Sequence, residues 1–130
     1  DPWSAMSWGT NEYLMTNSNT SAVQEFSDVN QPLEENDMFM VDLSAAYQCF
    51  QISGSASIDL ITSCCALDVQ NPDFSVNSVT ACRLGPYRVV IHHVSDPAIF
   101  DIYIDRSLAA PFVGYLAASG YPFKVSYSDP

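Results

Sequence analysis

Hydrophobic and polar positions alternate along much of the chain after residue 37, and alternation with a period of two is the signature of β-strands. Phe39, Val41 and Leu43 share a face of Met38 to Leu43, and the pattern resumes over Tyr47 to Ile52 after the small residues Ser44-Ala45-Ala46, ending at Gly54. Ile58 to Val69 carries apolar residues on both faces, as a central strand does. A helix capped by Ser57, with Ile58, Ile61 and Cys65 at helical spacing, is the second reading of that stretch. The strand is preferred. Phe74 to Leu84 alternates between the turns Asn71-Pro72-Asp73 and Gly85-Pro86.

The last third is patterned most clearly. Tyr87 to Val94 is a β-branched run, Asp96-Pro97 turns the chain, and Ile99 to Asp105 places Phe100, Ile102 and Ile104 opposite Asp101, Tyr103 and Asp105. That is a strand with one buried face. Ser107 is predicted to cap a helix reaching Ser119, with Leu108, Phe112, Tyr115 and Leu116 as its apolar stripe, Pro111 in its first turns and Gly120 beyond its end. A terminal strand then carries Phe123, Val125 and Tyr127 inward.

Residues 1–36 break the rhythm. Trp3, Met6, Trp8 and Tyr13 stand among Ser, Thr and Asn, so the segment reads as an irregular aromatic arm that packs on its own domain or on a neighbouring subunit. Ala22 to Val29 reads as a short strand or one helical turn. The predicted organisation is this arm followed by one β-rich domain over 37–130. Its fold class is mainly β, an antiparallel sandwich or sheet of six to seven strands with one late helix over about 108–119. The alternative is an α+β fold in which helices cover the antiparallel sheet.

Charge adds a second asymmetry. The 130 residues carry a formal net charge of −11, and every base (Arg83, Arg88, Arg106, Lys124) lies after residue 82. The acidic field repels phosphate backbones and anionic lipid, so nucleic acid and membrane surfaces are excluded as partners. No apolar run approaches the roughly 20 residues of a membrane-spanning helix. The start at Asp1 is read as the result of a removed signal or propeptide.

Cys49, Cys64, Cys65 and Cys82 form an even set without zinc-site spacing, which predicts two disulfides and a secreted protein. A bridge between the neighbours 64 and 65 is strained, leaving Cys49–Cys64 with Cys65–Cys82, or Cys49–Cys65 with Cys64–Cys82. Asn19 opens the glycosylation sequon Asn19-Thr20-Ser21.

Candidate chemistry is sparse. Adjacent His92 and His93 on a strand point to opposite faces, His93 inward and His92 toward solvent. Asp101 and Asp105 lie about 13 Å apart along one strand face, too far for a glycosidase carboxylate pair. Calcium is the one cofactor the composition could serve, through Asp68, Asn71 and Asp73 or through Glu34, Glu35 and Asp37 on loops. No GxSxG, P-loop or GxGxxG motif is present. The leading expectation is a secreted structural or assembly protein, not an enzyme, whose arm and strand edges join copies of itself. A module binding a glycan or a small ligand through aromatic side chains comes second, and an enzyme without a recognisable motif third.

Overall fold

The computed structural model describes residues 3–17 and 34–120. The chain is mainly β, with two antiparallel sheets and two helices among the described residues. β1 (Trp3–Gly9) and β2 (Glu12–Asn17) form a hairpin whose turn places Asn11 at φ 59°, in the left-handed region that Asn tolerates. Part of the expected irregular arm is thus an ordered ribbon. Alternation is hard to read there because apolar residues stand on both faces, Ala5, Tyr13 and Met15 on one and Met6 and Leu14 on the other.

The body is a four-stranded sheet in the order β3-β6-β5-β4, built from β3 (Tyr47–Ile52), β4 (Val79–Leu84), β5 (Tyr87–Ser95) and β6 (Ile99–Asp105). All its pairings are antiparallel. The body therefore has fewer strands than the alternation suggested. Met38 to Leu43 joins no strand, and Phe74 to Ser78 is a series of turns before β4. The terminal strand around Phe123 and the segment Ala22 to Val29 lie outside the described residues.

Ile58 to Val69 corrects the strand reading: Ser57–Cys64 is a helix, α1. Leu60 and Ile61 are adjacent on its buried side, and Asp59 sits in the first turn, where a carboxylate suits the helix dipole. Packing against the sheet decided between two readings that sequence spacing left open. α2 spans Ala109–Gly120 and follows a 3-10 turn at Arg106–Leu108. Asp105, not Ser107, caps this unit. Its Oδ1 accepts from the Ser107 backbone N–H at 2.9 Å and from the Ser107 hydroxyl at 2.6 Å. Phe112 is fully buried as predicted, whereas Leu108 is exposed because the 3-10 turn carries it off the apolar stripe.

The two helices share one face of the sheet with the core. Ile61, Leu84, Ile91, Phe100, Ile102, Ile104 and Phe112 are almost wholly buried there. The β4–β5 turn is locked to the same layer, since the Gly85 N–H donates to the Cys64 carbonyl at 2.8 Å. Gly85 has φ +57°, and any Cβ there would strike the Tyr115 ring, so both backbone and space require glycine. The hairpin lies across the other face, where β1 meets β4 and Thr16 hydrogen-bonds Tyr103. Met6 and Val90 are buried on that side.

Candidate functional site

β5 carries His92 and His93, and the sheet sends one to each layer. On the helix side, His93 is 6% exposed and stands between two aromatic rings, with Phe100 at 4.9 Å and Phe74 at 5.9 Å. Phe100 is its cross-strand partner on β6. Phe74 arrives from the turns that precede β4, and these turns grip the His93 backbone too. Asn77 N–H donates to the His93 carbonyl at 2.7 Å, and His93 N–H donates to Ser78 at 3.0 Å. Asn77 adopts φ 70° within that grip.

The imidazole Nδ1 lies 3.3 Å from the Phe74 carbonyl oxygen, and Nε2 lies 3.5 Å from the Asp96 carboxylate. At that distance Nε2 has no hydrogen-bond partner among the described residues, although it is enclosed. Asp96 is 80% exposed on the β5–β6 turn, beside the cis Asp96-Pro97 bond. A cleft of about 290 Å³ opens here, bounded by Ile58, Val69, Phe74 and Phe100 with His93 and Asp96 on its wall. The sequence placed His93 inward correctly. It gave no sign that the Asp96 carboxylate returns to the ring three residues later, because a turn rather than a strand or helix sets that contact.

On the hairpin side, His92 was expected near solvent, yet both ring nitrogens are enclosed without hydrogen-bond partners among the described residues. Burial holds its pKa below the ordinary 6.5, outweighing the Asp101 carboxylate across the strands, which acts in the opposite direction. Asp101 itself accepts from Gln51 Nε2 at 3.0 Å. One row along, Cys49 pairs across strands with Tyr103, and the two side chains are hydrogen-bonded. Although Cys49 is exposed as a residue, desolvation of its thiol and the Asp101 charge push it up to about 11. Burial raises the Tyr103 hydroxyl as well, helped by Cys49 and Asp101. Asp101 and Asp105 separate as predicted, one to this cluster and one to the helix cap.

The cysteines depart from the expected two bridges, since all four are free. Cys49 lies on the hairpin face, while Cys64, Cys65 and Cys82 pack with the core on the other, so neither expected pairing can bring Cys49 to a partner through the sheet. Cys65 and Cys82 do approach each other. Burial and the neighbouring Cys65 push the Cys82 thiol up to about 12.

The loop carboxylates serve turns. Asp68 accepts from Gln70 N–H at 3.0 Å, Asn71 from Asp73 N–H at 2.9 Å, and Glu34 closes a turn with Asp37 through their backbones. Among the described residues, no group of three or more His, Cys, Asp or Glu could hold a metal ion. Of the aromatic candidates, Trp3 and Trp8 lie on β1 with the buried Met6, while Tyr13 on β2 is 66% exposed. Asn19 lies outside the described residues. No helix among the described residues is long and apolar enough to cross a membrane.

No protein-family model matches the chain, and no curated protein matches it. A solved structure does. A chain of the heterotetrameric sarcosine oxidase from Corynebacterium sp. U-96, in complex with pyrrole 2-carboxylate, superposes with a TM-score of 0.82 at 19% identity. The match covers 98% of this chain and 64% of that one, so this chain spans less than two thirds of its neighbour. At that identity the likeness shows a shared fold. It corrects the expectation of a secreted structural protein that assembles with itself, because the same fold stands in a chain of a hetero-oligomeric enzyme.

Proposed function

We propose that this chain is a subunit, or part of one, in a hetero-oligomeric enzyme of the oxidase type, held against a larger partner chain. The observation that supports this most is the extent of the likeness, which runs over 98% of the chain and matches a component of a heterotetrameric oxidase. A second feature fits it. Phe39 and Val41 are 86% and 73% exposed on a segment outside the sheets and helices, together with exposed Met38. Covering each large apolar side chain would contribute about 1.5 to 3 kcal/mol of association free energy. Acidic Glu35, Asp37 and Asp42 flank the segment, which suits a partner surface that is apolar at its centre and basic at its rim.

The test is to isolate the tagged chain from its native cells and record its native mass together with oxygen uptake on sarcosine and related secondary amines. A stoichiometric complex with a different chain, consuming oxygen and released by Phe39→Asp with Val41→Asp, is the expected result. A chain recovered alone, or only with copies of itself, contradicts the proposal.

A further inference from the structure

Cys65 and Cys82 meet where α1 ends against the edge strand β4. Cys65 follows the last turn of α1 in an extended conformation, φ −135° and ψ 142°, with its N–H donating to the Ile61 carbonyl at 2.9 Å. One residue earlier the Cys64 carbonyl accepts from Gly85 N–H at 2.8 Å, which ties this corner to the end of β4. Both thiols are partly exposed, pack against the same apolar core and are hydrogen-bonded to each other. The Leu67 backbone N–H also points at the Cys65 sulfur from 3.3 Å, so charge gathering on that sulfur has a donor in place. The other two cysteines are engaged elsewhere. Cys64 meets the Ser63 hydroxyl at 3.6 Å and hydrogen-bonds Tyr115, and Cys49 lies on the opposite face of the sheet.

We propose that Cys65 and Cys82 are a redox-active pair, joined as one disulfide by a peroxide and released by a small thiol, and that the bridge clamps the wall of the cleft beside His93. In the forward step the Cys65 thiolate attacks one oxygen of hydrogen peroxide and the O–O bond breaks. Cys65 becomes a sulfenic acid, and the departing hydroxide takes up the proton that Cys65 released. The Cys82 sulfur then attacks the sulfenic sulfur, and its proton leaves with the second oxygen as water. Two electrons pass from the sulfurs to the peroxide, which ends as two waters. Two molecules of a small thiol reverse the change and depart as their own disulfide. Cys82 acts second because burial, and then the neighbouring Cys65, hold its thiol protonated. The bridge closes the loop of residues 66–81. That loop carries Val69, Asn71 and Phe74 of the cleft wall and the Asn77 and Ser78 bonds to the His93 backbone. Closing it removes conformations in which the wall is detached.

This pair stands independently of the subunit reading. Full-length protein is treated with excess hydrogen peroxide, blocked with N-ethylmaleimide in denaturant and digested for mass spectrometry. One linked pair of peptides, two hydrogens lighter than the sum of its parts, is expected, with Cys49 and Cys64 alkylated and the link lost in dithiothreitol. Cys64→Ser should keep the link, and Cys65→Ala should slow its formation at least about tenfold. In Cys82→Ala, dimedone should trap the sulfenic acid on Cys65. Amides of residues 66–81 should exchange hydrogen at least about fivefold more slowly in the oxidised protein and recover on reduction. The parent chain supplies both the link and the exchange rates, so neither depends on a variant folding. Four alkylated thiols under conditions that convert free cysteine to cystine, a link formed equally fast by Cys65→Ala or joined to Cys49, or exchange unaltered by the bridge would overturn the proposal.

Discussion

His92 and His93 are adjacent in the chain, yet the two faces of one sheet treat them differently. On the helix face, His93 is stacked between Phe74 and Phe100, bound through its backbone to Asn77 and Ser78, and set beside a carboxylate in a cleft. On the hairpin face, His92 is enclosed with neither nitrogen partnered among the described residues, and its neighbours Cys49 and Tyr103 are pushed toward their neutral forms. One face is a packed core with a polar opening at its end. The other is a desolvated polar layer under a two-stranded lid. Enclosure is common to both histidines, whereas the open volume with a carboxylate at its edge lies beside His93.

The sharpest contrast is in stability. Phe112→Ala on the helix face should cost about 3 to 5 kcal/mol, because the ring is fully buried against the core. Tyr103→Phe on the hairpin face, which removes only the hydroxyl that bonds Thr16 and Cys49, should cost about 1 kcal/mol. Urea denaturation of both variants measures the difference, and equal losses would erase the distinction between core and lid.

Thiol chemistry probes the lid next. With its pKa at about 11, Cys49 exposes about 100-fold less thiolate near neutral pH than a thiol at the reference value of 9.0. Iodoacetamide labelling followed by mass spectrometry should find Cys49 slowed accordingly against a free cysteine peptide. Removing Asp101 as Asp101→Asn should speed it, though by less than unfolding does, since desolvation is the larger cause.

The smallest effect is the pH response of His92. Its folded pKa lies below 6.5, so on acidification the unfolded chain takes up the proton first. The stability associated with neutral His92 is complete above about pH 6.5 and is lost as the pH falls through the folded value. His92→Leu, which replaces an unpartnered ring with an apolar side chain, should flatten the stability profile below pH 6.5 while leaving the value at pH 8 within about 1 kcal/mol. A variant as acid-sensitive as the parent would place the response elsewhere.

The sequence resolved elements whose pattern and packing agree. β5, β6 and most of α2 follow their periodicity, and His93 faces inward because Tyr87, Val89 and Ile91 in register with it do. It misread Ile58 to Val69, where a short apolar run satisfies both periods and only burial of Leu60 and Ile61 against the sheet decides. It also assigned a strand to Met38 to Leu43, since alternation reports a face but not whether a neighbouring strand exists to pair with it. The cleft was hidden for a different reason. Its parts come from residues 58, 69–76, 93 and 96–100, joined by turns whose geometry no hydrophobic period encodes. The misplaced disulfides have a similar origin, as cysteine spacing says nothing of which side of a sheet each thiol occupies.

The contrast between the two faces is tested most directly by 15N NMR of the His92 ring nitrogens across a pH titration. His92 under the hairpin should stay neutral until the pH is below 6.5, because burial disfavours its charged form. A His92 ring that takes up its proton at or above pH 6.5 would contradict the account of a desolvated layer on that face.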